Sequence, residues 1–99
     1  MSDRFYDMLG LCRRAGHLVC GEDKSISTIR SDKACLALLD RGASDNAKKL
    51  LTNACTYRNI RLIETETDRL GQAVGHRGCK MCVVTDKGFA EALISRSEN

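Results

Sequence analysis

Hydrophobic positions along the 99-residue chain switch repeatedly between helical and extended spacing. Phe5, Met8, Leu9 and Cys12 recur three, four and seven residues apart, which predicts an amphipathic helix over residues 3–14. Ser2 is its expected N-cap, and Ala15-Gly16 its end. His17 to Cys20 reads as a short strand. Gly21 opens a second helix that buries Ile26 and Ile29 and stops near Ser31-Asp32. Ala34 to Leu39 is apolar on both faces, as suits a central strand covered from two sides. Asp40-Arg41-Gly42-Ala43 reads as a loop. Ser44 then caps a third helix with Ala47, Leu50, Leu51 and Ala54 on one face. Arg61 to Glu64 is a third strand. Thr67 caps a short fourth helix with Leu70, Ala73 and Val74 inward. Gly75-His76-Arg77-Gly78 is a loop, Met81 to Val84 a fourth strand, and Thr85 caps a last helix with Phe89, Ala92 and Leu93 inward.

Helices and strands alternate throughout, which predicts an α/β fold with one sheet between helical layers. No proline, repeat or linker interrupts the pattern, so residues 1–99 are expected to form a single domain. The hydrophobic fraction of 42% suffices for a core without a disulfide framework.

Charge adds little. Sixteen Lys and Arg oppose 13 Asp and Glu, a formal net charge of +3 that permits a nucleic-acid partner without requiring one. No apolar run approaches the ~18 residues of a membrane helix. Met1-Ser2-Asp3-Arg4 lacks the plan of a signal peptide, so a cytoplasmic protein is expected.

The six cysteines are Cys12, Cys20, Cys35, Cys55, Cys79 and Cys82. Cys12, Cys35 and Cys55 fall on apolar faces, where reduced cysteines act as small hydrophobes. Cys79-Lys80-Met81-Cys82 is a single C-x-x-C; a zinc site wants a second pair or nearby histidines. His76 lies three residues from Cys79, which leaves a metal or redox reading as a third possibility. Cys82 in a core strand and Cys79 at a loop end is the plainer account. Neither Gly-rich phosphate-binding motif occurs, and neither histidine pairs with a nucleophile and an acid, so nothing supports catalysis or a cofactor.

Two segments stand out as binding surfaces. Gly21-Glu22-Asp23-Lys24 begins a helix, whose free N–H groups attract acceptors, although the two acids can also satisfy the helix dipole themselves. Gly75 to Lys80 combines an imidazole, two cations and two glycines, a set able to grip phosphates and unstacked bases. Arg30 and Arg41 are further candidates for a phosphate.

Nearly the whole chain resembles the kink-turn-binding ribosomal protein family L-seven-Ae, and within it the short bacterial branch YlxQ. The resemblance is carried by Leu9 to Gly16, Gly21-Glu22-Asp23, Ile29-Arg30-Ser31, Ala43 to Lys49, Leu70 to Gly75 and Val84 to Ala90. It implies an α-β-α sandwich around a small mixed sheet, and binding of RNA with a sharp internal bend. It also implies that the start of the second helix and the loop after Leu70-Gly71-Gln72-Ala73-Val74-Gly75 form the RNA surface, which is where both candidate segments lie. RNA-binding members carry glycine, any residue, asparagine, glutamate and, three residues later, lysine. Here those positions hold Gly21, Glu22, Asp23, Lys24 and Ser27, so the side chains that read tandem G·A pairs are largely replaced.

The expectation is a monomeric, non-enzymatic protein that binds structured, kink-turn-like or ribosomal RNA. Its site would comprise Gly21, Glu22, Asp23, Lys24, Ser27, Arg30, Arg41, His76, Arg77, Gly78 and Lys80. The alternative is a protein-interaction module on the ribosome or transcription machinery that has lost kink-turn readout.

Overall fold

The structure is a computed structural model that describes residues 1–98. Its elements are α1 (Asp3–Arg14), β1 (Leu18–Cys20), α2 (Glu22–Arg30), β2 (Leu36–Asp40), α3 (Asp45–Arg58), β3 (Leu62–Thr65), α4 (Arg69–Val74), β4 (Met81–Val84) and α5 (Lys87–Ser97). The strands form one sheet in the order β1-β4-β2-β3. β2 pairs parallel with β3, while β4 runs antiparallel to both β1 and β2.

The three-layer sandwich follows from strand periodicity. Leu36 and Leu38 of β2 and Cys82 and Val84 of β4 point to one face, where they meet Phe5, Leu9, Leu70 and Leu93 from α1, α4 and α5. Ala37, Leu39, Met81 and Val83 point to the other, against Ile26, Ile29, Leu51 and Cys55 of α2 and α3. β2 is buried at every residue, Leu36 to Leu39 as an unbroken apolar run requires and Asp40 in addition. Each leucine so buried contributes roughly 1.5–3 kcal/mol.

Helix ends show where local chemistry decided and where it did not. Ser44 Oγ accepts from the Ala47 amide at 3.1 Å and caps α3. α1 ends as the sequence implies: the Gly16 and His17 amides turn back to the Arg13 and Cys12 carbonyls. Ser2 occupies the N-cap position of α1, but its side chain makes no capping bond. Thr85 does not cap α5. Asp86 does, accepting from the Phe89 amide at 2.8 Å, while the Thr85 hydroxyl donates to the His17 carbonyl at 3.2 Å. Thr67 gives way to Asp68 at the start of α4, in a left-handed conformation with φ 65°.

Three burial expectations also change. Cys35 is exposed and precedes β2, which begins at Leu36. Leu50 is 37% exposed, and Cys55 takes the inward place on α3. Asp40 is the last residue of β2, wholly buried, and not part of a loop.

Candidate nucleic-acid interface

Gly21 joins β1 to α2 with φ 105° and ψ 154°, a conformation open to glycine and strained for any L side chain. Its amide donates to the Met81 carbonyl at 3.1 Å, which pins the α2 N-terminus to the start of β4. A Cβ built on Gly21 would meet nothing within 4 Å, so its outer side is free for close approach. No side chain caps the helix, so the amides of its first turn have no capping side chain, and Glu22, Asp23 and Lys24 beside them are exposed.

The facing wall is the loop from His76 to Lys80. α4 positions it. Gly71 lies against the loop backbone: a Cβ there would sit 3.0 Å from the His76 carbonyl oxygen and 3.4 Å from the Gly78 nitrogen. The His76 amide returns a hydrogen bond to the Gly71 carbonyl at 3.1 Å. His76, Arg77 and Gly78 are exposed, and Cys79 turns inward.

These segments enclose a cleft of about 400 Å3 lined by Gly21, Glu22, His76, Gly78, Cys79, Lys80 and Met81, with Gly42, Ser44 and Ala47 from the entry to α3 as its third side. A second hollow on the far side of the loop is lined by Asp68, Gly71, Gln72, Gly75 and Arg77, and shares Gly78, Cys79 and Lys80 with the first.

Electrostatics divide the basic residues. Lys80 Nζ lies 2.8 Å from Asp68 Oδ1 and 3.9 Å from Asp40 Oδ1. The Asp68 hydrogen bond, reinforced by Asp40, holds Lys80 above the ordinary lysine range. Two carboxylates already neutralise it, so a phosphate at Lys80 would have to compete with Asp68. Arg77 has no ion-pair partner among the described residues and is the available cation of the loop.

The remaining sequence candidates lie elsewhere. Asp23, Ser27 and Arg30 line a separate hollow with Ile26, Ser31 and Leu50, between α2 and α3. Lys24 is exposed on the first turn of α2. Arg41 donates to Glu64 Oε1 at 3.0 Å, on the β3 side of the sheet. The structure thus brings Gly21, Glu22, His76, Gly78 and Lys80 together, with Arg77 next to them. It does not bring Asp23, Ser27, Arg30 or Arg41 into that cleft.

Sequence reasoning missed Asp40 and Asp68, the two acids that hold Lys80. An acid closing an otherwise apolar strand was the available signal for Asp40. Its Oδ1 accepts from the Gly42 amide at 2.7 Å, and its Oδ2 is buried with no hydrogen-bond partner among the described residues.

A model of the ribosomal protein L7Ae/L30e/S12e/Gadd45 family matches residues 3–94. The chain belongs to this family. It is 39% identical to the RNA-binding protein YlxQ of Bacillus subtilis (strain 168) over 92 residues, which cover 92% of each chain. It is 31% identical to the RNA-binding protein YlxQ of Enterococcus faecium over 86 residues, 86% of this chain and 82% of that one. Among solved structures it resembles a protein of unknown function from Bacillus halodurans C, with a TM-score of 0.93 and 25% identity over 99% of this chain and 100% of the other. The fold also matches a Giardia lamblia 15.5kD RNA binding protein, with a TM-score of 0.77 and 13% identity over 96% and 85% of the two chains.

Proposed function

We propose that this protein binds structured RNA with a sharp internal bend, without catalysis, through the cleft between the α2 N-terminus and the His76–Lys80 loop. The observation that carries this reading is convergence: two segments more than 50 residues apart in sequence, each a weak candidate alone, wall a single cleft. Membership of a ribosomal protein family and the names of the two bacterial relatives support it.

The chemistry fits bent RNA better than a straight duplex. The backbone at Gly21 lets a phosphate or base edge approach the first amides of α2. Glu22 accepts hydrogen bonds from guanine or cytosine amino groups, the role left open by the replaced asparagine and glutamate. His76 offers a ring for an unstacked base, and Arg77 a phosphate contact. With Lys80 neutralised, shape and hydrogen bonding carry more of the specificity than bulk charge does. Ribosomal RNA is the proposed source of such bends, and a cytoplasmic monomer the proposed working form.

One observation favours a second reading. Glu22 at the cleft and the Asp40–Lys80–Asp68 group leave the surface little net positive charge, which suits a basic protein partner. A titration against a kink-turn RNA and a straight duplex of equal length, at two salt concentrations, separates the two. Tighter binding of the kinked RNA at both salts supports the RNA reading. Weak, equal binding that disappears at the higher salt overturns it and favours the protein partner.

A further inference from the structure

Four of the six cysteines, Cys12, Cys20, Cys79 and Cys82, meet in the core on the α1–α4–α5 side of the sheet. The β1–β4 ladder places two of them opposite each other. The Gly21 amide bonds to the Met81 carbonyl and the Thr85 amide to the His17 carbonyl. These bonds bracket the register Leu18↔Val84, Val19↔Val83, Cys20↔Cys82 and make Cys20 and Cys82 a non-hydrogen-bonded pair. In such a pair the side chains share a face and the Cα atoms lie about 4.5 Å apart. Cys79 folds back onto them. Its thiol donates to the Met81 carbonyl at 3.3 Å, the same oxygen that receives the Gly21 amide, which sets Cys79 beside Cys20 and Cys82 in one core cluster. Arg13 adds a guanidinium donor 3.0 Å from Cys20 Sγ.

We propose that Cys20 and Cys79 are a redox modification site, a dithiol that closes to an intramolecular disulfide beneath the cleft. Cys82 is the weaker partner, because its backbone is locked between β1 and β2. Cys79 belongs to the loop that forms the cleft wall and can be drawn in. Cys20 is half-buried and meets the oxidant first, while Cys79 is buried and resolves the product.

With a peroxide as oxidant, the Cys20 thiolate attacks one oxygen and the O–O bond breaks. The departing hydroxide takes up the proton Cys20 released and leaves as water, and Cys20 becomes a sulfenic acid. The Cys79 sulfur then attacks the Cys20 sulfur. The S–S bond forms, and the sulfenic hydroxyl leaves with the Cys79 proton as a second water. Two thiols lose two hydrogens, and the peroxide is reduced to two waters.

The Arg13 guanidinium favours the Cys20 thiolate, but the Cys79 hydrogen bond and burial outweigh it and raise the Cys20 thiol well above its ordinary range. The hydrogen bond from Cys20 favours the Cys79 thiolate, but the Cys82 contact and burial push Cys79 up to about 11. The site therefore answers to sustained oxidant, and its rate climbs with pH.

The consequence is local. Cys20 adjoins Gly21, and Cys79 adjoins Lys80, so the bridge ties the two cleft walls to each other. An S–S bond of about 2.05 Å is shorter than any contact between free thiols, so closure pulls the loop toward the end of β1. The effect on RNA rests on the proposed function: the bridged form binds kinked RNA at least about fivefold more weakly, the lower end of coupling between two sites.

The test treats the full chain with hydrogen peroxide at pH 8 and pH 10 and maps peptides without reduction. The expected product is a monomer with a Cys20–Cys79 bridge, formed faster at pH 10 and reversed by a thiol reductant. It is absent in Cys20→Ser, Cys20→Ala and Cys79→Ser and retained in Cys55→Ala, with circular dichroism confirming that each variant is folded. Bridging through Cys82, dimers between chains, or sulfinic acid in place of a bridge overturns the proposal. RNA titration of reduced and bridged protein gives the second readout. Equal affinities, with the reduced form still preferring kinked RNA, overturn the coupling to RNA. A reduced form with no such preference overturns the proposed function instead, and the bridge then stands or falls on the peptide map.

Discussion

Lys80 Nζ sits 3.9 Å from the Oδ1 of Asp40, a carboxylate with no exposed surface. The lysine is therefore a counterion as well as a cleft wall. Asp40 closes β2, and its Oδ2 is buried without a hydrogen-bond partner among the described residues. A buried charge that loses its partner is far more costly than the intact pair is stabilising. Lys80→Met should thus lower the melting temperature more than Arg41→Met does, since Arg41 pairs with Glu64 where both are exposed. Asp40→Asn in the Lys80→Met background should restore most of the loss. Thermal unfolding followed by circular dichroism measures all four proteins. Equal losses for the two single variants would mean that Asp40 does not depend on Lys80.

Gly71 sets the position of the loop. Alanine at this helical site gains about 1 kcal/mol in propensity over glycine. Its Cβ, however, would press on backbone, 3.0 Å from the His76 oxygen and 3.4 Å from the Gly78 nitrogen. Gly71→Ala is expected to leave global stability within about 1 kcal/mol of wild type, because strain and propensity oppose each other. The loop should move, and RNA affinity fall with it. Backbone amide shifts confined to residues 75–80, with weakened binding of kinked RNA, are the expected result. Unchanged amide positions there would show that the loop is not seated on Gly71.

Much of this architecture was legible in the residues. Spacing of Phe5, Leu9 and Cys12 gave α1, and the apolar run ending at Leu39 gave the central strand, because burial on both faces leaves no polar position in the pattern. What was not legible depended on neighbours distant in sequence. Leu50 has the spacing of a core residue, yet α3 turns Leu51 and Cys55 inward and leaves Leu50 at the edge. Thr85 is an N-cap by type, though weaker than Asp86, and the strand pairing of β1 with β4 brings the His17 carbonyl to its hydroxyl. At the site, the glycines and the loop cations were visible as residue types. Their meeting in one cleft was not, and neither was the pairing of Lys80 with Asp68, which removes a cation the sequence offers. Only the fold supplies those distances.

Alkaline stability should report the buried thiols. Burial pushes Cys55 up from 9.0 to about 11, and Cys12 likewise, again chiefly through burial. The native state then holds these protons at a pH where the unfolded chain has released them. Between about pH 9 and pH 11 the native state binds more protons, so stability is complete below that window and falls as pH rises through it. A shift of that size corresponds to roughly 2–3 kcal/mol for Cys55. Cys55→Ala should lose some packing energy at pH 8 but show a shallower decline toward pH 11. Urea unfolding of both proteins at pH 8, 10 and 11 measures the difference. Parallel declines would mean that Cys55 ionises in the folded protein as easily as in the unfolded one.

Arg77 is the sharpest test of how the cleft uses charge. It is exposed on the loop, lines the hollow beside the cleft, and has no acid paired with it among the described residues. Arg41 is engaged by Glu64 and does not line the cleft. If Arg77 holds one phosphate, Arg77→Ala should weaken binding to every RNA by a similar factor. It should also reduce the magnitude of the slope of log affinity against log salt by roughly 0.7 to 0.9, the contribution of one neutralised phosphate. Arg41→Ala should leave both affinity and slope unchanged. Affinity measured at four salt concentrations for the three proteins decides between them. A lower affinity with an unchanged slope would assign Arg77 to a base or sugar contact. A slope that responds to Arg41 and not to Arg77 would move the phosphate path to the β3 side of the sheet, away from the cleft.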